Sequence, residues 1–167
     1  MLVEDKITDL LRFWFPNNDY NKFWFEKNEI FDNFIKDKYY NLLLEINNKI
    51  KTMEITEFEK FNCNEIVAMI ILLDQFSRNI ERVIDKVNVR DFTETAEKLS
   101  KFWISKKYYL VQPINYIVFA LMPLRHLNKL HDYNIILDIL EKIKDESNVL
   151  YNKFKNQTIK RIKMLQF

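Results

Sequence analysis

Apolar residues recur with a period near 3.6 along almost the whole chain, which predicts helices and marks the buried face of each. Ile7, Leu10, Leu11, Trp14 and Phe15 share one face of a first helix, which Pro16 stops. Phe31, Phe34, Ile35, Leu42, Ile46 and Ile50 predict a long second helix ending before Thr52, followed by a short helical stretch around Phe58 and Phe61. The most apolar segment runs from Ile66 to Leu73, with Asn64 placed to cap it. A helix apolar on every side belongs at the centre of a bundle; an isolated buried strand is the competing reading of so short a run. Asp91 and Glu94 have the spacing of a capping box ahead of the stripe Phe92, Ala96, Leu99 and Trp103. Lys101, Lys106 and Lys107 suit the negative end of that helix. Pro113 is placed to open the next helix, with Ile114, Ile117, Val118 and Leu121 inward. Asp132 is placed to cap another, built on Ile135, Ile136, Ile139, Leu140 and Ile143, and a last segment carries Leu150, Phe154, Ile159 and Ile162. The pattern predicts an all-α fold: about seven helices in one compact bundle over residues 1–167, with no linker long enough to divide them.

Composition sharpens this mainly by exclusion. Glycine is absent from the 167 residues. That removes every site built on a glycine turn, including phosphate-binding and dinucleotide-binding loops and the nucleophile elbow, and it argues against an all-β chain. The residues therefore call for no cofactor. A chain of this length buries roughly 70% of its unfolded surface, and fourteen Phe, eight Tyr and three Trp make much of that core aromatic. A net charge of +2 is too balanced to demand a nucleic-acid or membrane partner. No apolar run approaches the ~20 residues of a membrane span, and Met1-Leu2-Val3-Glu4-Asp5 does not read as a signal peptide. Cys63 is alone, so the chain forms no internal disulfide and no thiolate zinc site. A reduced compartment, the cytoplasm, is the expectation.

Candidate chemistry concentrates at Leu72-Leu73-Asp74-Gln75-Phe76-Ser77-Arg78-Asn79-Ile80, where polar side chains crowd the exit of the most buried helix. Asp74 and Arg78 are four residues apart and meet on one helical face. A carboxylate so near the core costs several kcal/mol unless it is paired, so a cation is nearly obligatory; Arg78 supplies one, and Arg82 or Arg125 is placed to supply a second. Two readings stand. In one, an internal ion pair fixes how two helices meet. In the other, Arg78, Gln75 and Asn79 present donors to an anionic or amide-bearing ligand.

A second stretch, Met122-Pro123-Leu124-Arg125-His126, puts a proline after an apolar run and so sets Arg125 and His126 at a kink or a helix end. His126 and His131 lack the i, i+4 spacing of a zinc helix, so no metal site is expected. His126 reads either as a hydrogen-bonded structural residue or as a general acid or base. Phe13-Trp14-Phe15 and Phe23-Trp24-Phe25 read as core packing, with a stacking platform as the alternative. Lys153, Lys155, Lys160, Arg161 and Lys163 form a basic run without an acid, read as a solvated face or as a contact for phosphates or an acidic partner.

Taken together, Phe13-Trp14-Phe15, Trp24-Phe25, Phe31-Asp32, the stretch from Leu72 to Ile80 and Met122-Pro123-Leu124-Arg125-His126 resemble, in order and spacing, the bacterial family called domain of unknown function 924. The resemblance implies a helical fold similar to tetratricopeptide-like arrays of helical hairpins, and it brings no established activity. Ser77 stands where that family usually has proline, and Asn128 where a glutamate commonly follows the histidine. The family's closing segment, rich in Gly, Arg, Phe, Pro and His, corresponds here to Lys163-Met164-Leu165-Gln166-Phe167, so a scaffold is expected to be inherited more readily than a reaction.

The leading functional expectation is a helical module that binds a small ligand or a protein partner through Asp74, Gln75, Arg78, Asn79, Arg125 and His126. Asp74 would orient Arg78, and no catalytic residue is assigned. The rival is an enzyme with His126 as general acid or base and Arg78 or Arg125 stabilising an anion; its condition is that His126 and Arg78 open into one cavity. A third reading is nucleic-acid contact through the basic tail.

Overall fold

The hydrophobic periodicity resolves into eight α-helices among the described residues, 3–166, of a computed structural model, with no strand there. Met1, Leu2 and Phe167, which enter the leader and tail readings above, lie outside the described residues. The helices are α1 (Val3–Trp14), α2 (Glu29–Thr52), α3 (Cys63–Ile70), α4 (Ser77–Glu81), α5 (Val89–Ser105), α6 (Ile114–His126), α7 (Leu130–Ile143) and α8 (Val149–Gln166). A π-helical turn, Ile71–Phe76, joins α3 to α4 without a break, so the chain presents seven rods, as its periodicity predicts. Short 3₁₀ turns at Lys22–Trp24, Ile55–Lys60 and Tyr108–Leu110 complete it.

The central rod follows from its composition. Every residue from Ile66 to Leu73 is buried, and the segment is helical, which disposes of the strand alternative. It is enclosed by α1, α2, α5 and α6, while α8 packs across α6 and α7. The aromatic groups near the N-terminus form the wall beside it: Trp14 sits edge-on to Phe76 and Phe119, and Trp24 donates Nε1–H to the Trp14 carbonyl at 2.8 Å. Phe25 alone of the two triplets stays largely exposed.

Several caps lie one to three residues from where the sequence pattern puts them. Asn62, not Asn64, caps α3, because its side chain accepts from the Glu65 amide while the Glu65 carboxylate accepts from the Asn62 amide, a reciprocal capping box. Asn88, not Asp91, caps α5; the Asp91 carboxylate is drawn instead to Lys51 and Asn47 of α2. Pro113 is the cap residue of α6, so the helix begins at Ile114. Helix α7 starts at Leu130, leaving Asp132 buried in its first turn, where burial pushes its carboxyl above the usual range. Without glycine, the left-handed positions past helix ends fall to Lys107, Asn128 and Lys144, with φ of 55°, 62° and 36°. No helix among the described residues is long and apolar enough to cross a membrane.

Candidate functional site

Asp74 sits in the π turn and its side chain is fully buried. A π turn changes the register of the backbone ladder, and such turns are frequent at functional positions. Ser77, at the step back to α-helix, donates its hydroxyl to the Asp74 carbonyl at 3.2 Å.

The Asp74 carboxylate gathers donors from three rods. From its own rod, Gln75 Nε2 reaches Oδ2 at 2.9 Å and Arg78 Nη2 reaches Oδ1 at 3.4 Å. From α5, the Thr93 hydroxyl donates to Oδ1 at 3.2 Å and is itself bonded by Arg78 Nη2 at 3.1 Å. From the last turn of α6, His126 Nδ1 lies 2.9 and 3.0 Å from the two oxygens. Burial alone would raise the carboxyl's pKa. The charge and hydrogen bond of His126, the Arg78 guanidinium and the Gln75 amide outweigh it and hold Asp74 at about 2. An ionised carboxylate only accepts, so Nδ1 of His126 carries the proton in this contact. Burial also holds the imidazole below its ordinary range, against the pull of Asp74. At neutral pH the pair is therefore a carboxylate and a neutral imidazole of fixed tautomer, with Nε2 left as an acceptor.

Nε2 of His126 makes no hydrogen bond among the described residues and is not sealed from solvent. A cleft of 180 Å³ opens there, and Gln75, Arg78, Asn79, Arg82, Arg125 and His126 all line it. Pro123 lies inside α6, and Arg125 and His126 occupy that helix's end, as the proline suggested. Among the described residues Arg125 makes no ion pair: its guanidinium lies 4.9 Å over the Phe154 ring, and its Nε–H, like that of Arg78, is buried there without a partner. Burial, then the nearby charge of Arg161, bring Arg125 down to about 10.

All six residues singled out from the sequence thus meet around one cleft, in unequal positions. Asp74 lies behind it, and the Asn79 amide is committed elsewhere, donating to Asp32 Oδ1 at 2.8 Å. Arg82 is not a second partner of Asp74. It grips Asp32 on α2 through Nε and Nη2, both at 2.8 Å, and His126 takes the place the sequence reading gave to Arg82 or Arg125. Thr93 escaped notice, although a threonine beside the apolar stripe of Phe92 and Ala96 is a visible signal. Asp74 and His126 are the metal-ligand types in this cluster; among the described residues no third His, Cys, Asp or Glu joins such a group.

The comparisons with known proteins agree with the fold and add no chemistry. A solved structure of a protein of unknown function from Agrobacterium tumefaciens is similar, with a TM-score of 0.70 at 17% identity, over 98% of this chain and 82% of that one. No curated protein matches the sequence. The model of the bacterial family of proteins of unknown function DUF924 matches residues 10–165, and the chain belongs to that family.

Proposed function

We propose that the protein binds a small polar or anionic molecule in the cleft between the central rod and the end of α6. The observation that carries this reading is the opening of Arg78, Arg125 and the free Nε2 of His126 into one cavity, with Asp74 fixing two of the three from behind. Gln75 and the two arginines line the cleft and are its donors. Cationic donors grouped in one cleft favour an anionic or acceptor-rich ligand. A thermal-shift screen of small carboxylates, phosphates and amides tests it. Compounds that stabilise the wild type should lose that effect in Arg78→Leu, read as a shift from that variant's own melting temperature, which loss of the cation on Asp74 lowers. A screen whose hits all stabilise Arg78→Leu as strongly as the wild type overturns the reading.

A second reading, proton-transfer catalysis by His126, has one specific observation in its favour. The Asp74 contact fixes the tautomer that leaves Nε2 basic and facing the cleft, the arrangement a general base requires. Here His126→Gln should keep binding of a screened compound while abolishing its turnover. Unchanged turnover removes this reading and leaves binding in place.

A further inference from the structure

Beside the cleft lies a larger cavity of 480 Å³ between α6 and α8, which shares Phe25, Met122 and Arg125 with it as a common wall. Its other lining includes Lys153 and Arg161, and among the described residues no acidic side chain lines it. None of its three cations forms an ion pair among the described residues. They are held by other means. Arg161 Nη1 donates to the Arg125 carbonyl at 3.2 Å, Arg125 stacks on Phe154, and Lys153 lies 4.9 Å over the Tyr20 ring and donates to its hydroxyl at 3.3 Å. Two guanidinium groups that share a concave, half-apolar wall with no carboxylate repel each other until an anion sits between them. Lys160 and Lys163, from the same acid-free run, are exposed and outside this lining, so the cavity selects two members of the run. Its volume falls in the ordinary range of small-molecule sites.

We propose that this cavity is the anchoring subsite for the oxyanion group, phosphate or carboxylate, of a small molecule whose remainder passes Arg125 to reach His126 in the cleft. The inference rests on the cleft reading above and extends it: Arg161 and Lys153 become ligand contacts, and Arg125 becomes the residue common to both halves. Planar guanidinium forks match the oxygens of either anion.

The test is a titration of the full chain with inorganic phosphate and, separately, with acetate, at constant ionic strength balanced by chloride. The Nε–Hε signals of Arg125 and Arg161 and the His126 imidazole signal are followed by NMR. Saturable movement of the arginine signals with one anion and not with chloride is the expected result, and which anion saturates identifies the headgroup. Arg161→Leu should weaken that affinity by at least about tenfold, and Lys153→Gln, at an exposed position, should weaken it less while leaving the fold intact. Affinity unchanged in both variants, or saturation by chloride as strong as by either anion, overturns the proposal. Saturation at Arg125 and Arg161 upholds the subsite whether or not the His126 signal moves, and a failed compound screen beside that saturation removes the cleft reading alone, so the two fail separately.

Discussion

Asp32 and Asp74 are both buried carboxylates facing an arginine, yet they are built to different ends. Asp32 is saturated: Asn79 and the two-pronged grip of Arg82 deliver three donors at a uniform 2.8 Å. Asp74 is surrounded more loosely, with Arg78 reaching it through one nitrogen at 3.4 Å and sharing that nitrogen with Thr93. The partners of Asp32 use their donors on it. Those of Asp74 leave Nε2 of His126 unspent, and Arg78 and His126 both line a cleft. Burial of an acid shows only that a cation is needed; what the partners have left over separates a brace from a site.

The largest effects should come from removing the acids. Asp74→Ala leaves Arg78, Thr93, Gln75 and His126 without their common acceptor and is expected to cost about 3 to 5 kcal/mol in urea unfolding. Asp32→Ala is expected to cost about 2 to 3 kcal/mol, since it strands Arg82, whose side chain is a third exposed and free to turn to water. The reverse ranking would break the comparison, making Asp32 the more costly brace and Asp74 the more adaptable.

The pH dependence of stability is next in size and falls on one side of the comparison. Burial lowers the folded-state pKa of His126, so below the ordinary histidine range the unfolded chain binds a proton that the folded chain resists. Stability should therefore fall as pH drops from about 6.5. Asp74 acts in a lower window: its folded pKa of about 2 keeps its contribution present above the ordinary carboxylate range and lost only as pH falls toward 2. Arg78 and Arg125 are the other charges facing the imidazole, and both add to the lowering of its pKa. Melting temperatures between pH 7 and 4.5 should decline in the wild type and flatten in His126→Gln. An equal decline in that variant would place the titration elsewhere.

How much of this could be read along the chain depends on range. The Asp74–Arg78 pair is an i, i+4 contact next to the most apolar run, so both its partners and its burial are local facts. The His126 contact joins residues far apart in the chain, and periodicity says which face of α6 is buried but not what stands opposite it. The same limit sent Arg82 to the wrong acid: Asp74 is near in sequence, while Asp32 arrives on α2 only when the bundle closes. The displaced caps have a related cause. Asp91 has a capping side chain, but Lys51 and Asn47 of another helix claim it, and Asn88 caps one turn earlier. The π turn leaves no mark, since Ile71-Leu72-Leu73-Asp74-Gln75-Phe76 satisfies an α-helical pattern equally well.

The smallest expected effect is the finest discriminator between the two acids. Arg82→Lys replaces a two-pronged grip with a single point charge and removes one of two 2.8 Å contacts, so it should cost roughly 1 kcal/mol. Arg78→Lys gives up a single contact at 3.4 Å at a position a third exposed, and should stay within about 0.5 kcal/mol of the wild type. Lysine at 78 nevertheless lacks the guanidinium fork, so any compound found to bind in the cleft should weaken clearly there and less with Arg82→Lys, whose fork is committed to Asp32. The two variants thus separate in opposite directions, one by stability and the other by binding. If Arg78→Lys costs as much as Arg82→Lys and leaves binding untouched, Asp74 is a brace of the same kind as Asp32, and the free Nε2 of His126 beside it carries no meaning.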